Sequence, residues 1–304
     1  MQHRSVFTGL GVETPTLVLI LACTALWALL TAAAADLGPW IALPGITLCL
    51  VLHSSLQHEA LHGHPTRDAR VNAALVFPAL GLLIPYERFR ATHLAHHRDA
   101  VLTDPYDDPE SHYLDPATWA RLPRPLRWLL VANNTLAGRV VLGPAIGTAC
   151  FLATDACAVL RGEREVIRGW LLHVPAVALV AAWLETAGTV GWGAYLACAY
   201  AALGVLRIRT FLEHRAHERA RGRSVIIEDR GPLAFLFLNN NLHAVHHGHP
   251  GLPWYRLPEL YRSQRERFLE MNEGYRYRSY AEVLRRHAVV PKDPVPHPHY
   301  PQPE

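Results

Sequence analysis

The apolar positions of this chain gather into long uncharged runs, not into the alternating or 3.6-residue patterns of water-exposed strands and helices. Residues 14–35 are 22 positions without a charge, and a helix needs about 20 to cross the hydrocarbon of a bilayer. Residues 37–56 follow after Asp36 alone, so the two runs predict a helical hairpin. A second pair covers residues 169–184 and 186–206, with Glu185 at the turn. Residues 74–86 are too short to cross and suit an interfacial or re-entrant segment. Residues 140–160 are long enough but contain Gly143, Pro144, Gly147 and Asp155.

Arginine placement decides between these segments. With four spans at 14–35, 37–56, 169–184 and 186–206, the far-side turns hold only Asp36 and Glu185, and every Arg falls on one face. That bias marks a cytoplasmic face. Crossing by residues 140–160 would move Arg161, Arg164 and Arg168 to the other side, so that segment is expected to lie in the membrane surface. The first run is too long for a signal-peptide core and lacks a basic segment before a cleavage site. The expected fold is an all-α integral membrane protein. It has four transmembrane helices, interfacial helices at 74–86 and 140–160, and a cytoplasmic helical cap.

Composition fits this picture. Half of the 304 residues are hydrophobic and 18% are charged, below the roughly 25% of a soluble chain. Disorder is excluded by the apolar content. The net charge of +3, without a basic run interleaved with aromatics, points to no nucleic-acid partner. The five cysteines form no CxxC pair and lie in apolar stretches, which excludes a disulfide framework and a thiolate metal site. No repeat or linker divides residues 1–290. A Pro/His-rich tail at 291–304, with His297 and His299, reads as an extended, poorly ordered end.

Histidine carries the chemistry. Of 19 histidines, 12 fall in windows 58–64, 93–97, 214–217 and 243–249, where random placement would put one or two. His58 and His62 are four apart, so on a helix they share a face. His64 follows Gly63 and precedes Pro65, where the helix should end. His93, His96 and His97 form an HxxHH box, and His243, His246 and His247 repeat it 150 residues later. His214 follows the last run by a few residues, with His217 able to join it or to sit at the surface. The remaining histidines lack partners at ligand spacing. Imidazole suits zinc, copper, iron and nickel; eight or nine ligands require two metals. The second ring nitrogens then need acceptors, for which Glu59, Asp99, Asp104, Asp107, Asp108 and Glu213 are nearby candidates.

The boxes HEALHGH at 58–64, HLAHH at 93–97 and HAVHH at 243–247, together with the hydropathy layout, resemble the membrane fatty acid desaturase/hydroxylase superfamily. The likeness covers roughly residues 14–250 and includes a bacterial subgroup with segments such as HHRDAVLTDPYDDPES and RTFLEHRAHE. The resemblance implies a non-haem di-iron centre held by His58, His62, His93, His96, His97, His214, His243, His246 and His247. It also implies use of O2, a cytoplasmic site, and an external electron donor of ferredoxin or cytochrome type. One departure stands out: relatives carry Asn one turn before the isolated His, where it holds a water on a metal, and this chain has Thr210.

The expected function is O2-dependent desaturation of a fatty-acyl or related aliphatic substrate by C–H abstraction. Hydroxylation or other oxygenation of a lipid or small molecule on the same site is the alternative. A His-rich metal transporter would place ionisable residues deep in its spans; these runs hold almost none. A surface zinc hydrolase would need fewer histidines.

Overall fold

The structure, a computed structural model, describes residues 11–98 and 101–300. Among these, the secondary structure is helical apart from one pair of two-residue strands. Asp99 lies outside the described residues, as does His3. Two compact units emerge, Met1–Arg90 with Thr148–Leu203, and Ala91–Gly147 with Gly204–Glu304. The helices Tyr86–His96, Gly143–Leu160 and Trp192–Thr210 each run from one unit into the other.

In the first unit the expected hairpin forms from helices Thr14–Ala32 and Pro39–Leu61. Its reversal falls at Gly38, whose φ of 72° is a conformation a Cβ disfavours. Pro39 then opens the second helix, where its missing N–H is not needed. Leu21, Leu29, Trp40 and Ile41 are exposed on these helices, as expected where lipid replaces water. Polar side chains are satisfied locally. The hydroxyls of Thr24, Thr31, Thr47 and Ser55 each donate to the carbonyl four residues earlier. Trp27 Nε1 donates to Tyr195 Oη at 2.9 Å, which in turn donates to the Leu80 carbonyl at 2.7 Å.

Among the described residues, four helices are long and apolar enough to cross a membrane: Thr14–Ala32, Pro39–Leu61, Gly143–Leu160 and Arg164–Thr186. The chain is an integral membrane protein. The segment at 140–160, expected to lie in the surface, is an 18-residue helix of spanning length and composition. Gly143, Pro144 and Gly147 sit in its opening turns and do not interrupt it. Its Asp155 is offset by a bidentate pair with Arg88, both contacts at 2.8 Å, and by Trp170 Nε1 at 2.8 Å. The expected span at 186–206 is instead the helix Trp192–Thr210, which is not among the four. The expected interfacial helix at 74–86 does not form. The Asp68-capped helix Ala69–Leu75 stops there, and turns carry the chain to Tyr86 past Pro78 and Pro85.

The second unit is built from short helices around one parallel bridge, Ile226–Ile227 with Arg276–Tyr277. Ile226, Leu242, Val245, Leu257, Tyr261 and Phe268 form its buried core. The tail departs from expectation. Up to Tyr300 it is docked: Lys292 N donates to the Asn134 carbonyl, His297 N to the Leu114 carbonyl and Leu114 N to the Val295 carbonyl. Val295 and His297 are buried. Proline favours the extended backbone such a bridge needs, so the composition that suggested disorder serves a fixed strap.

Candidate metal centre

The first box is shaped by the end of a helix. His58 lies in the last turn of Pro39–Leu61, and His62 is its C-cap. The rings of His58 and His62 stand 4.8 Å apart, edge to face. Gly63, at φ 96°, then turns the chain back. His64 is thereby carried away to Glu13, whose Oε2 lies 2.5 Å from its Nδ1. Glu13 is fully buried and also accepts from Thr16 Oγ1. His64 belongs to neither histidine cluster.

The second box closes the helix Tyr86–His96, and His97 keeps the helical bond to the His93 carbonyl at 3.1 Å. The third lies in the helix His243–Gly248. Leu238 and Asn239, at φ 51° and 57°, precede it in the left-handed region. Asn tolerates that region and Leu does not, so local strain accompanies the placement of Asn240.

Within the second unit, His96, His214, His243 and His247 bring ligand nitrogens within 4.8 Å of one another. Nε2 of His214 lies 2.8 Å from Nε2 of His96 and 3.0 Å from Nε2 of His243. His93, His97 and His246 converge likewise, with Nε2 of His97 3.0 Å from that of His93 and 3.2 Å from that of His246. Nitrogens that share one ion at about 2.1 Å stand roughly 3 Å apart, so these spacings match a common ion.

The opposite ring nitrogens are held from behind. Nδ1 of His96 meets Asp108 at 2.8 Å, and Nδ1 of His93 meets Glu110 at 3.0 Å. Nδ1 of His243 donates to Asn240 Oδ1 at 3.1 Å, and Asn240 Nδ2 donates to Glu213 at 3.0 Å. Nδ1 of His214 meets Ser224 Oγ at 3.2 Å. The carboxylate and amide oxygens accept from Nδ1–H of His93, His96 and His243, which turns the Nε2 edge of those rings inward. An all-imidazole donor set of this kind fits first-row divalent ions.

Electrostatics follow the same division. Burial, then the surrounding histidines, hold His214 and His243 well below the usual histidine range, in the neutral form a metal requires. Burial would lower His96 as well, but Glu110, Asp108 and Glu213 raise it to about 9. Burial raises the Glu213 carboxyl, against the pull of Arg209 at 3.2 Å.

Of the acids expected behind the ligands, Asp108 takes that role directly and Glu213 through Asn240. Glu59 stays 3.8 Å from His58 Nδ1. Asp104 accepts the backbone amides of Tyr106 and Asp107, a turn unrelated to the cluster. Glu110, Asn240 and Ser224 were not anticipated. Glu110 sits in the acidic run after the second box, which reads as solvated, and Asn240 precedes the third box as one of three consecutive asparagines. His217 lies 3.3 Å from Glu273, outside both clusters. Thr210 Oγ1 is buried without a hydrogen bond among the described residues.

The sequence profile described as "Fatty acid desaturase" matches residues 37–279. The chain belongs to the fatty acid desaturase family. A relative, the β-carotene ketolase of Paracoccus sp. (strain PC1), is 30% identical over 251 residues, 79% of this chain and 86% of that protein. This desaturase-family chain is therefore an oxidoreductase of the membrane oxidase, desaturase and hydroxylase type.

Proposed function

We propose that this chain is an O2-dependent non-haem di-iron enzyme that desaturates a fatty-acyl or related aliphatic substrate. The observation that carries the reading is the convergence of Nε2 atoms whose Nδ1 partners are fixed by Asp108, Glu110, Asn240 and Ser224. His96, His214, His243 and His247 would hold one iron. His93, His97 and His246 would hold the other, completed by His58 and His62, which the family likeness assigns to the same centre.

Bound iron would supply dioxygen activation and C–H cleavage. The chain's own part is to orient the imidazoles, keep His214 and His243 unprotonated, and keep water from the buried cluster. Desaturation balances as two hydrogens lost by the substrate, with O2 reduced to two waters using two further electrons and two protons. Those electrons come from a separate ferredoxin- or cytochrome-type protein, and the site faces the cytoplasm of a bacterial inner membrane.

A second reading, oxygenation of a polyene lipid, is favoured by the likeness to the β-carotene ketolase. The deciding experiment incubates iron-loaded protein in detergent with a chemical reductant and 18O2, offering a fatty-acyl lipid and β-carotene separately. Desaturation gives a product two mass units lighter without 18O, and oxygenation gives a product that contains it. Protein that binds about two irons but consumes no O2 with either substrate would count against both readings.

A further inference from the structure

The second unit carries a concentration of arginines that the metal centre does not use. Arg276, Arg278, Arg285 and Arg286 line a cavity of about 400 Å³, with Glu282 as its only acid. A second cavity of about 290 Å³ shares Arg276 and Arg286 and adds Arg215, Lys292 and Asp293. Three of these cations are matched: Arg276 with Glu228 and Arg286 with Glu282, each at 2.6 Å, and Lys292 with Asp293 at 3.6 Å. Arg278 and Arg285 are exposed and make no ion pair within 4 Å among the described residues. The face therefore keeps an excess of positive charge, some of it stiffened by stacking. Arg215 lies over the Tyr275 ring at 4.5 Å and Arg286 over Tyr277 at 5.5 Å.

The floor of the second cavity connects this charge to the cluster. Lys292 Nζ donates to the backbone carbonyl of His214 at 2.5 Å. Tyr275 Oη donates to the carbonyl of Leu212 at 2.8 Å. Leu212 and Arg215, both lining residues, bracket His214 in the chain. The basic face thus lies over the polypeptide segment that presents a clustered histidine.

We propose that this face docks a small acidic electron-carrier protein, an inference that rests on the di-iron reading above. Charge complementarity selects the partner and speeds its arrival, and the cavity floor brings its redox group over the His214 segment. Each encounter passes one electron, oxidising the carrier and reducing one ferric ion, with no proton or leaving group moved between the proteins. An anionic membrane surface is the competing occupant, and a response to anionic lipid is the outcome that would reveal it.

The test uses the full-length protein in detergent, iron-loaded and metal-free, with an acidic [2Fe–2S] ferredoxin as probe and a basic c-type cytochrome as control. Calorimetry should show ferredoxin binding to both forms that weakens about tenfold between low and high salt, and no cytochrome binding. Arg278→Glu with Arg285→Glu should weaken ferredoxin binding about tenfold or more without shifting thermal unfolding, while the paired Lys replacements retain it. Anaerobic oxidation of reduced ferredoxin by the iron-loaded protein should slow in parallel, with dithionite reducing wild type and variant equally. Binding unchanged by charge reversal would overturn the docking face. So would charge reversal that abolished only a response to anionic lipid in nanodiscs. Failure of dithionite to reduce any bound iron would instead count against the di-iron reading and leave the binding result to decide the face.

Discussion

Asp108 Oδ1 lies 2.8 Å from Nδ1 of His96, while its other oxygen accepts the Thr103 amide at 2.8 Å. The carboxylate is buried and cannot turn away without losing that second bond. It therefore fixes the ring that points Nε2 at His214. Removing such a support commonly costs 10- to 100-fold in metal affinity. On the di-iron reading, Asp108→Ala is expected to lower iron content from about two toward one per chain after dialysis against a weak chelator, and Asp108→Asn to lower it less. Elemental analysis checks this, and full retention of both metals in Asp108→Ala would show that the contact is dispensable.

Arg88 and Asp155 form a second buried relationship. Removing one partner strands a charge in apolar surroundings and costs about 3–5 kcal/mol. Arg88→Met should accordingly lower the thermal midpoint in detergent by several degrees. Adding Asp155→Asn should recover much of the loss, because a neutral amide oxygen still accepts from Trp170 Nε1. A double variant no more stable than Arg88→Met would argue that the arginine acts through packing alone.

Uncharged runs made the hairpin legible, because length and lack of charge are properties of sequence. They ranked Trp192–Thr210 above Gly143–Leu160, because Arg161, Arg164 and Arg168 argued against a crossing there and Asp155 reads as unpaired until Arg88, 67 positions earlier, is brought to it. The clustering of the histidines showed in their spacing, because the helical period itself places positions three and four apart on one face. Their supports did not. Glu110 reaches His93 only after the chain turns through the acidic run, and Asn240 is positioned by left-handed backbone at Leu238 and Asn239. The tail misled for a related reason: its partners, Asn134 and Leu114, are more than 150 residues away.

His64 separates spacing from role. It lies in the first box, yet Gly63 turns it toward Glu13 and away from His58 and His62. On the di-iron reading, His64→Ala should leave the iron content at about two per chain while lowering the thermal midpoint, through loss of a buried charge-assisted contact worth about 1.5–3 kcal/mol. Elemental analysis beside thermal unfolding tests both halves. Loss of one iron with unchanged unfolding would make it a ligand instead.

Glu228 ties the parallel bridge to the helices that follow it. It accepts from Tyr261 Oη and Arg265 Nε, and pairs with Arg276, each at 2.6 Å. Burial alone would raise its pKa, but the bonds from Arg265, Tyr261 and Arg276 lower it from 4.5 to about 2. A carboxylate depressed in the folded state binds fewer protons there than when unfolded. Its contribution is therefore complete above about pH 4.5 and fades as pH falls toward 2. Partial exposure limits that contribution to about 1–2 kcal/mol. Glu228→Gln should unfold roughly 2–4 °C below wild type at pH 7, and the two curves should converge as pH is lowered from 4.5 toward 2. A gap that stayed constant across that window would place the effect of Glu228 in shape and not in charge.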